Sequence, residues 1–175
     1  AFTTFMALGA YRMTKQQVLV KQPKTVESLG AATVICLDKT GTITENRMSV
    51  AEVSDFSGRA RTLEYAMWAS EPLPFDAMEK AIHAAYEKET TADIRADFNM
   101  VHEYPLSGVP PMMTHVYQNT VAERIIATKG AVERVVRVCK LTPSEQEKVM
   151  KQTMDMAGKG FRVLGVASAF HDGET

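Results

Sequence analysis

The 175-residue sequence predicts an α+β fold, in which an antiparallel sheet flanked by helices is inserted after the first strand of an incomplete α/β domain. Two observations predict this arrangement. A short apolar run rich in β-branched residues, 32–37, stops at Asp38, as a buried parallel strand does. Between residues 47 and 170, helical patterns and strand-like runs are separated by Pro, Gly and short polar turns. We place a domain boundary near Asn46.

The first part opens with an apolar stretch over residues 1–10 that is about half the length of a membrane span of roughly 20 residues. It has no basic lead of the kind that secretory signals carry. We interpret the chain as a piece of a longer protein. Residues 14–30 are polar and basic, and Pro23 interrupts them, so a connecting strand or loop is predicted there.

In the second part, alternation over residues 48–53 predicts an antiparallel strand. Later segments show either helical or strand spacing of their apolar residues. The predicted helices span 62–70, 77–89, 130–138 and 143–157, and the predicted strands span 99–104, 112–117, 124–128 and 162–167. Thr142 and Glu145 form a capping box with Pro143 at the first helical position.

Composition excludes some functions. The net charge is −1, with 20 basic and 21 acidic residues, so no broad field recruits nucleic acid or an anionic membrane surface. Cys36 and Cys139 have no Cys-x-x-Cys partner, which favours reduced, buried thiols and the cytosolic side of a membrane. The histidines show no ligand spacing and are interpreted as solvated or packed side chains.

Asp38 is the candidate nucleophile. A carboxylate at the carboxyl end of a strand lies where open α/β sheets bind ligands. Lys39 beside it offers a cation, and Gly41 lets a backbone approach closely, so Asp38 is placed to attack or coordinate a phosphoryl group. The alternative is that Asp38 only caps a turn.

The run Asp38-Lys39-Thr40-Gly41-Thr42, together with the following residues 43–50, resembles the phosphorylation signature of P-type ATPases, cation pumps that pass through an aspartyl-phosphate. The resemblance implies that residues 1–46 are the end of a membrane stalk and the start of a haloacid-dehalogenase-like phosphorylation domain. Residues 47–170 would be the nucleotide-binding domain, and 171–175 the start of the return to the phosphorylation domain. The lead into Asp38 is most similar to the calcium-type branch.

The resemblance also implies catalytic roles. Asp38 would take the γ-phosphoryl group of ATP, Thr42 would meet phosphate oxygens, and Lys39 would lie beside them. Asp38 and Thr40, the latter through its backbone carbonyl, would hold Mg²⁺. The Gly-Asp-Gly type loop that supplies further Mg²⁺ ligands in the family does not occur in these residues, so turnover by this piece alone is not expected.

For the nucleotide, the candidate is Lys129-Gly130, where a strand passes into a helix and a glycine permits close approach. It resembles the Lys-Gly-Ala motif of the family's adenine pocket. Arg162 resembles the arginine that reaches nucleotide phosphates. Glu79 resembles the acid that meets the adenine amino group, although Asp76 and Glu79 also match a helix capping box, and both interpretations stay open.

The sequence departs from the family near the adenine. Leu106 falls where a stacking Phe is usual, and Pro111 falls where a Lys is usual. Tyr104 is a candidate replacement for the ring. We therefore expect weak ATP binding by the isolated domain.

Two alternatives accompany this hypothesis. A haloacid-dehalogenase-type phosphatase usually carries a second Asp two residues after the nucleophile, where this sequence has Thr40, as the pumps do. A non-catalytic ATP-binding module would leave Asp38 idle.

The expected partners are ATP and the remaining pump domains, membrane and actuator, with this piece soluble at the cytosolic face of a membrane. Residues 1–46 are expected to pack poorly, because a parallel strand depends on neighbours.

Overall fold

The computed structural model describes residues 2–22, 24–56, 58 and 61–170. The chain divides into two compact units, and the division falls between Asn46 and Arg47. The expected return segment, 171–175, lies outside the described residues.

The first unit contains two helices, α1 (Phe2–Lys15) and α2 (Lys24–Gly30), and a short π-helical turn (Lys39–Ile43). None of the α1 side chains is buried. Among the described residues, no helix combines the length and apolar character that crossing a membrane requires.

The predicted strand over residues 32–37 is not formed. The segment has no regular structure, and Val34 and Ile35 are 77% and 68% exposed. Cys36 is exposed too, which corrects the expectation of a buried thiol, whereas Cys139 is half-buried and burial raises the pKa of its thiol. The cause is the absence of neighbours: a parallel strand needs partners on both sides, and the described part of this unit supplies none. Poor packing of this segment was expected for that reason.

The second unit is built on a four-stranded antiparallel sheet with the order β1-β2-β3-β4. Its strands are β1 (Phe98–Ser107), β2 (Met112–Asn119), β3 (Arg124–Gly130) and β4 (Gly165–Ala169). Its helices are α3 (Thr62–Trp68), α4 (Ala77–Glu89), α5 (Val132–Val138) and α6 (Pro143–Gly158), and a short 3-10 turn spans Arg95–Asp97. The antiparallel sheet with flanking helices is confirmed.

Helix starts follow the sequence signals. Asp76 caps α4, and its carboxylate accepts from the backbone N–H groups of Met78 (2.7 Å) and Glu79 (3.0 Å). The capping box of α6 is confirmed: Thr142 accepts from the Glu145 N–H, and the Glu145 carboxylate accepts from the Thr142 N–H at 2.7 Å.

One predicted strand is missing, and several element boundaries differ from the prediction. Residues 48–53 form no strand, because they pair with no strand among the described residues; instead Glu52 pairs with Lys159, and Ser54 bonds to Gln152 of α6. The last strand begins at Gly165 rather than 162, where pairing with β3 starts. Helix α5 begins at Val132 rather than 130, because Gly130 still belongs to β3.

The core lies between one face of the sheet and helices α3 and α4. Trp68 is 2% exposed, and its ring meets those of Phe98 and Tyr117 edge-on, with centroids 5.6 and 4.7 Å away. Alternation along the strands puts Tyr117 and Ala127 on this face. We call it the helix-covered face of the sheet.

Candidate functional site

A buried ion pair lies on the helix-covered face where β3 ends. Lys129 and Glu79 are each 3% exposed, and the Lys129 ammonium donates to Glu79 Oε1. Lys129 Nζ also donates to Ser70 Oγ at 2.8 Å. A buried charge is tolerated only when it is paired and hydrogen-bonded, so each charge holds the other in place.

The elements around this pair explain how it forms. Asp76 starts α4 three residues before Glu79, so Glu79 falls in the first turn, facing β3. Its carboxylate does not close a capping box but accepts from Lys129 and, at 3.3 Å, from the Glu71 N–H. Ser70 is fixed in turn by donating to the Ala66 carbonyl at 2.8 Å. Asp76 is the cap of this helix, and Glu79 points toward Lys129; the role of Glu79 at the adenine stays a prediction.

Gly130 has a packing role. A Cβ at this position would lie 2.6 Å from the Pro111 carbonyl oxygen and 2.7 Å from Met112 Cα. The space that a side chain would need is therefore filled by the protein's own backbone, and Ala131 N–H donates to the same Pro111 oxygen at 3.0 Å. Glycine here lets the β1–β2 connection close against the end of β3, and the role of Gly130 in nucleotide binding stays a prediction.

Burial lowers the pKa of Lys129, and its hydrogen bond to Glu79 opposes that shift. Glu79 Oε2 is buried and has no hydrogen-bond partner among the described residues. It is a strong acceptor, since an ionised carboxylate has several lone-pair positions. The pair therefore offers a fixed cation and an unused acceptor at one place.

Several side chains of this site were not singled out from the sequence. Ser70 and Glu71 follow α3 and resemble an ordinary helix end. His115 is fully buried on β2, and the ligand atoms of Glu71, Glu103 and His115 all lie within 4.8 Å of one another. The available signal was the strand period, since His115 is two residues from Met113 and from Tyr117 on one face.

Two predicted residues of β1 do not join the pair. Tyr104 stands opposite Thr114, which hydrogen-bonds to Thr128 at 2.9 Å. Thr128 precedes Lys129 in β3, so Tyr104 lies on the opposite face of the sheet from Lys129. Leu106 is 63% exposed.

Arg162 is exposed in the segment before β4. It lines a wide cavity of about 1540 Å³ together with Thr128 and Met112, and neither Lys129 nor Glu79 lines that cavity. The structure therefore joins Glu79 to Lys129 and leaves Arg162 apart from them.

The Asp38 segment belongs to the first unit and is exposed. Asp38 directly precedes the π-helical turn, and its side chain does not cap that turn, which removes the alternative of a simple capping residue. Gly41 has φ +77°, a conformation that favours glycine. Lys39 and Thr42, on either side of Gly41, are exposed. The Thr40 side chain lies outside the described residues.

Comparison with known proteins shows which family and which relatives the chain resembles. The model of the P-type ATPase, cytoplasmic domain N, matches residues 75–175. Plasma membrane ATPase 2 of Saccharomyces cerevisiae is 30% identical over 94% of this chain and 18% of its own length. The plasma membrane ATPase of Zygosaccharomyces rouxii is 32% identical over 94% of this chain and 19% of its own length.

A third relative, magnesium-transporting ATPase, P-type 1, of Salmonella typhimurium is 29% identical over 96% of this chain and 20% of its own length. The chain thus spans about a fifth of the length of these curated relatives. None of the three is named for calcium, so the expectation of a calcium-type branch gains no support from them.

Proposed function

This chain belongs to the P-type ATPases, as a cytoplasmic domain N, and from that membership we propose that its second unit binds ATP for a cation pump. The observation that carries the proposal is the buried Lys129–Glu79 pair with its unused acceptor. Because the chain spans about a fifth of its relatives, the pump activity, its membrane and actuator domains and its place at the cytosolic face of a membrane are parts of the proposal.

In this proposal Glu79 recognises the adenine ring through a hydrogen bond. Its Oε2 accepts a hydrogen bond from the exocyclic amino group, while the hydrogen bond from Lys129 to Oε1 holds the carboxylate in orientation. A buried acceptor discriminates well, because a ligand without the matching donor leaves it unpaired. Arg162, Tyr104 and Leu106 remain predicted nucleotide contacts that this geometry does not support.

For phosphoryl transfer we propose Asp38 as the acceptor. A carboxylate oxygen of Asp38 forms a bond to the γ-phosphorus of ATP as the bond to the β,γ-bridging oxygen breaks, and ADP leaves. Lys39 and Thr42 would contact the phosphate oxygens. The exposed Asp38 carboxylate and the Thr40 carbonyl are hard oxygen donors that fit Mg²⁺. When bound, Mg²⁺ neutralises charge on the transferring group.

The transported ion is proposed only as a cation. One relative is named for magnesium transport, and a calcium-type pump is suggested only by the lead into Asp38. A second candidate function, a non-catalytic ATP-binding module, is favoured by one observation: the Asp38 segment is exposed and belongs to a different compact unit from Lys129.

The test is a titration of the chain with ATP and with GTP, followed by amide shifts in NMR spectra with and without Mg²⁺. We expect ATP to move the amides of Ser70, Glu79 and Lys129. GTP, which has a carbonyl where adenine has its amino group, should bind at least about fivefold more weakly, since a mismatched buried acceptor costs about 1–3 kcal/mol.

Glu79→Gln should reduce the preference for ATP over GTP. Glu87→Gln, on the exposed side of the same helix, should leave that preference unchanged. Dispersed spectra show that each variant is folded. Absence of shifts at millimolar ATP would refute nucleotide binding. Equal affinity for ATP and GTP in the unchanged chain would refute the role of Glu79. Incorporation of phosphate from γ-labelled ATP, lost in Asp38→Asn, separates the enzyme from the non-catalytic module.

A further inference from the structure

Three potential metal ligands converge on the helix-covered face of the sheet. One imidazole or carboxylate atom each from Glu71, Glu103 and His115 lies within 4.8 Å of the other two. Glu103 and His115 are directly opposite each other in the β1–β2 register, so their side chains share a face. Glu71 comes from the segment after α3, and its backbone N–H bonds to Glu79.

His115 is the unusual member of this cluster. It is fully buried, and neither its Nδ1 nor its Nε2 has a hydrogen-bond partner among the described residues. A buried polar group without a partner costs about 1–3 kcal/mol. A neutral imidazole also presents a lone pair to metals. The ring nitrogens of His115 therefore require a partner that the described residues do not provide.

From this arrangement we propose that Glu71, Glu103 and His115 bind a divalent transition-metal ion, with Zn²⁺ as the best match. One imidazole and two carboxylates form a mixed nitrogen and oxygen donor set that suits Zn²⁺, which commonly takes three protein ligands and a water. The cluster contains no thiolate ligand. Its donors are not all oxygen atoms either, as the ligands of Mg²⁺ and Ca²⁺ usually are.

The geometry allows closure around a metal. Zn–N and Zn–O bonds of about 2.0–2.2 Å place ligand atoms about 3.3–3.6 Å apart, and ligand atoms within 4.8 Å of one another reach that spacing by at most small side-chain shifts. His115 is held by the sheet, whereas Glu71 is partly exposed and Glu103 is exposed. The two glutamates can therefore shift, and the side of Glu103 gives the ion a path from solvent.

The local charge favours a cation. Glu71 and Glu103 bring two carboxylates to His115, and Glu79 accepts from the Glu71 N–H beside them. Lys129 is paired with Glu79 and not with the other two. A divalent ion would offset this excess of negative charge without competing for Glu79, which Lys129 already holds.

The test is calorimetric titration with Zn²⁺ in the absence of nucleotide, which keeps it independent of ATP binding. Cys36 is replaced by Ser beforehand, because its exposed thiol is a competing ligand. We expect one equivalent to bind with micromolar or tighter affinity. His115→Ala should weaken binding at least about tenfold, since even the partners of metal ligands contribute about 10–100-fold. His102→Ala is the matched control, because His102 lies on the opposite face of the same sheet.

A second variant and a spectroscopic readout keep the test decisive if His115→Ala does not fold. Glu103→Gln changes an exposed side chain and should weaken Zn²⁺ binding comparably. In spectra of chain labelled with ¹⁵N-histidine, Zn²⁺ should shift the ring nitrogens of His115 and leave those of His102 in place. Binding weaker than millimolar, unchanged affinity in both variants, or shifts that spare His115 would each overturn the site.

Discussion

The two units treat similar sequence signals differently. In each, a short apolar run is followed by a charged residue and a glycine: residues 32–37 lead to Asp38, and β3 leads to Lys129. In the second unit, β3 is paired on both sides, by β2 and β4, and Lys129 is 3% exposed. In the first unit the corresponding run is unpaired and Ile35 is 68% exposed. A specific motif therefore does not by itself produce an ordered site. The segment that carries it also needs neighbouring strands to pair with.

The comparison also separates chemistry from scaffold. The Asp38 run is the more specific signature, whereas Lys129-Gly130 would be an ordinary strand end in isolation. Yet it is Lys129 to which the surrounding helices give a charged partner, a hydrogen-bond network and a dry environment. Preorganisation of this kind comes from packing.

The difference in packing between the two units predicts its largest effect in the core of the second unit. Trp68→Ala removes a ring that meets Phe98 and Tyr117, and it should lower the free energy of unfolding by about 5 kcal/mol, the upper end of the range for such cavities. Urea unfolding followed by circular dichroism measures the change. A loss under about 1 kcal/mol would mean that this core is not packed as described.

The next effect concerns the buried pair. Lys129→Met leaves the Glu79 carboxylate buried without its counter-ion and should destabilise the second unit by about 3 kcal/mol or more. Lys129→Met combined with Glu79→Leu should recover most of that loss, because two apolar side chains need no desolvated charge. Chemical unfolding of Lys129→Met, Glu79→Leu and the double variant gives the coupling energy. Simple addition of the two single effects would contradict a direct pair.

A smaller effect comes from His83 on α4. Burial, and then the Arg95 guanidinium 3.3 Å from its Nδ1, lower the pKa of His83 below its usual 6.5, against the opposing pull of Glu87 and Glu79. Between that lowered pKa and 6.5 the unfolded chain binds more protons than the folded chain. Stability is therefore full above pH 6.5 and falls as the pH drops through this window, by at most about 1.4 kcal/mol per unit.

His83→Gln should flatten that dependence, as measured by urea midpoints between about pH 7 and pH 5. His102→Gln, a substitution of an exposed histidine, is the matched control. An unchanged slope in His83→Gln would place the titrating group elsewhere.

The smallest effect is expected in the first unit. Ile35→Ala should change stability by less than about 0.5 kcal/mol, since the side chain is already in solvent. In hydrogen exchange, the amides of residues 34–37 should exchange at nearly the rate of an unfolded peptide, whereas those of Tyr117 and Ala127 in the sheet are protected. Protected amides at 34–37 would show that this run has found partners.

Local patterns predicted most of the second unit. The helix over Ala77–Glu89 and the cap at Thr142 follow from side-chain spacing and hydrogen-bonding chemistry within a few residues. The missing strands over 32–37 and 48–53 could not be predicted that way, because a strand depends on chain segments far away in sequence.

The candidate site was predictable only in part, for the same reason. Glu79 and Lys129 were found through a motif, but their pairing joins α4 to β3, fifty residues apart. Ser70 and Glu71 carry no local signal beyond a helix end. His115 became notable only once Glu103 was known to lie opposite it.

The irregular pairing of β1 has a consequence for colloidal behaviour. Its register against β2 shifts between Tyr104 and Ser107, and Pro105, which has no N–H, lies within that stretch. β1 is also at the end of the described strand order, where unpaired backbone groups invite a strand from another molecule. A bend and a missing donor make this edge a poor template, so the domain gains protection against edge-to-edge aggregation when it is concentrated.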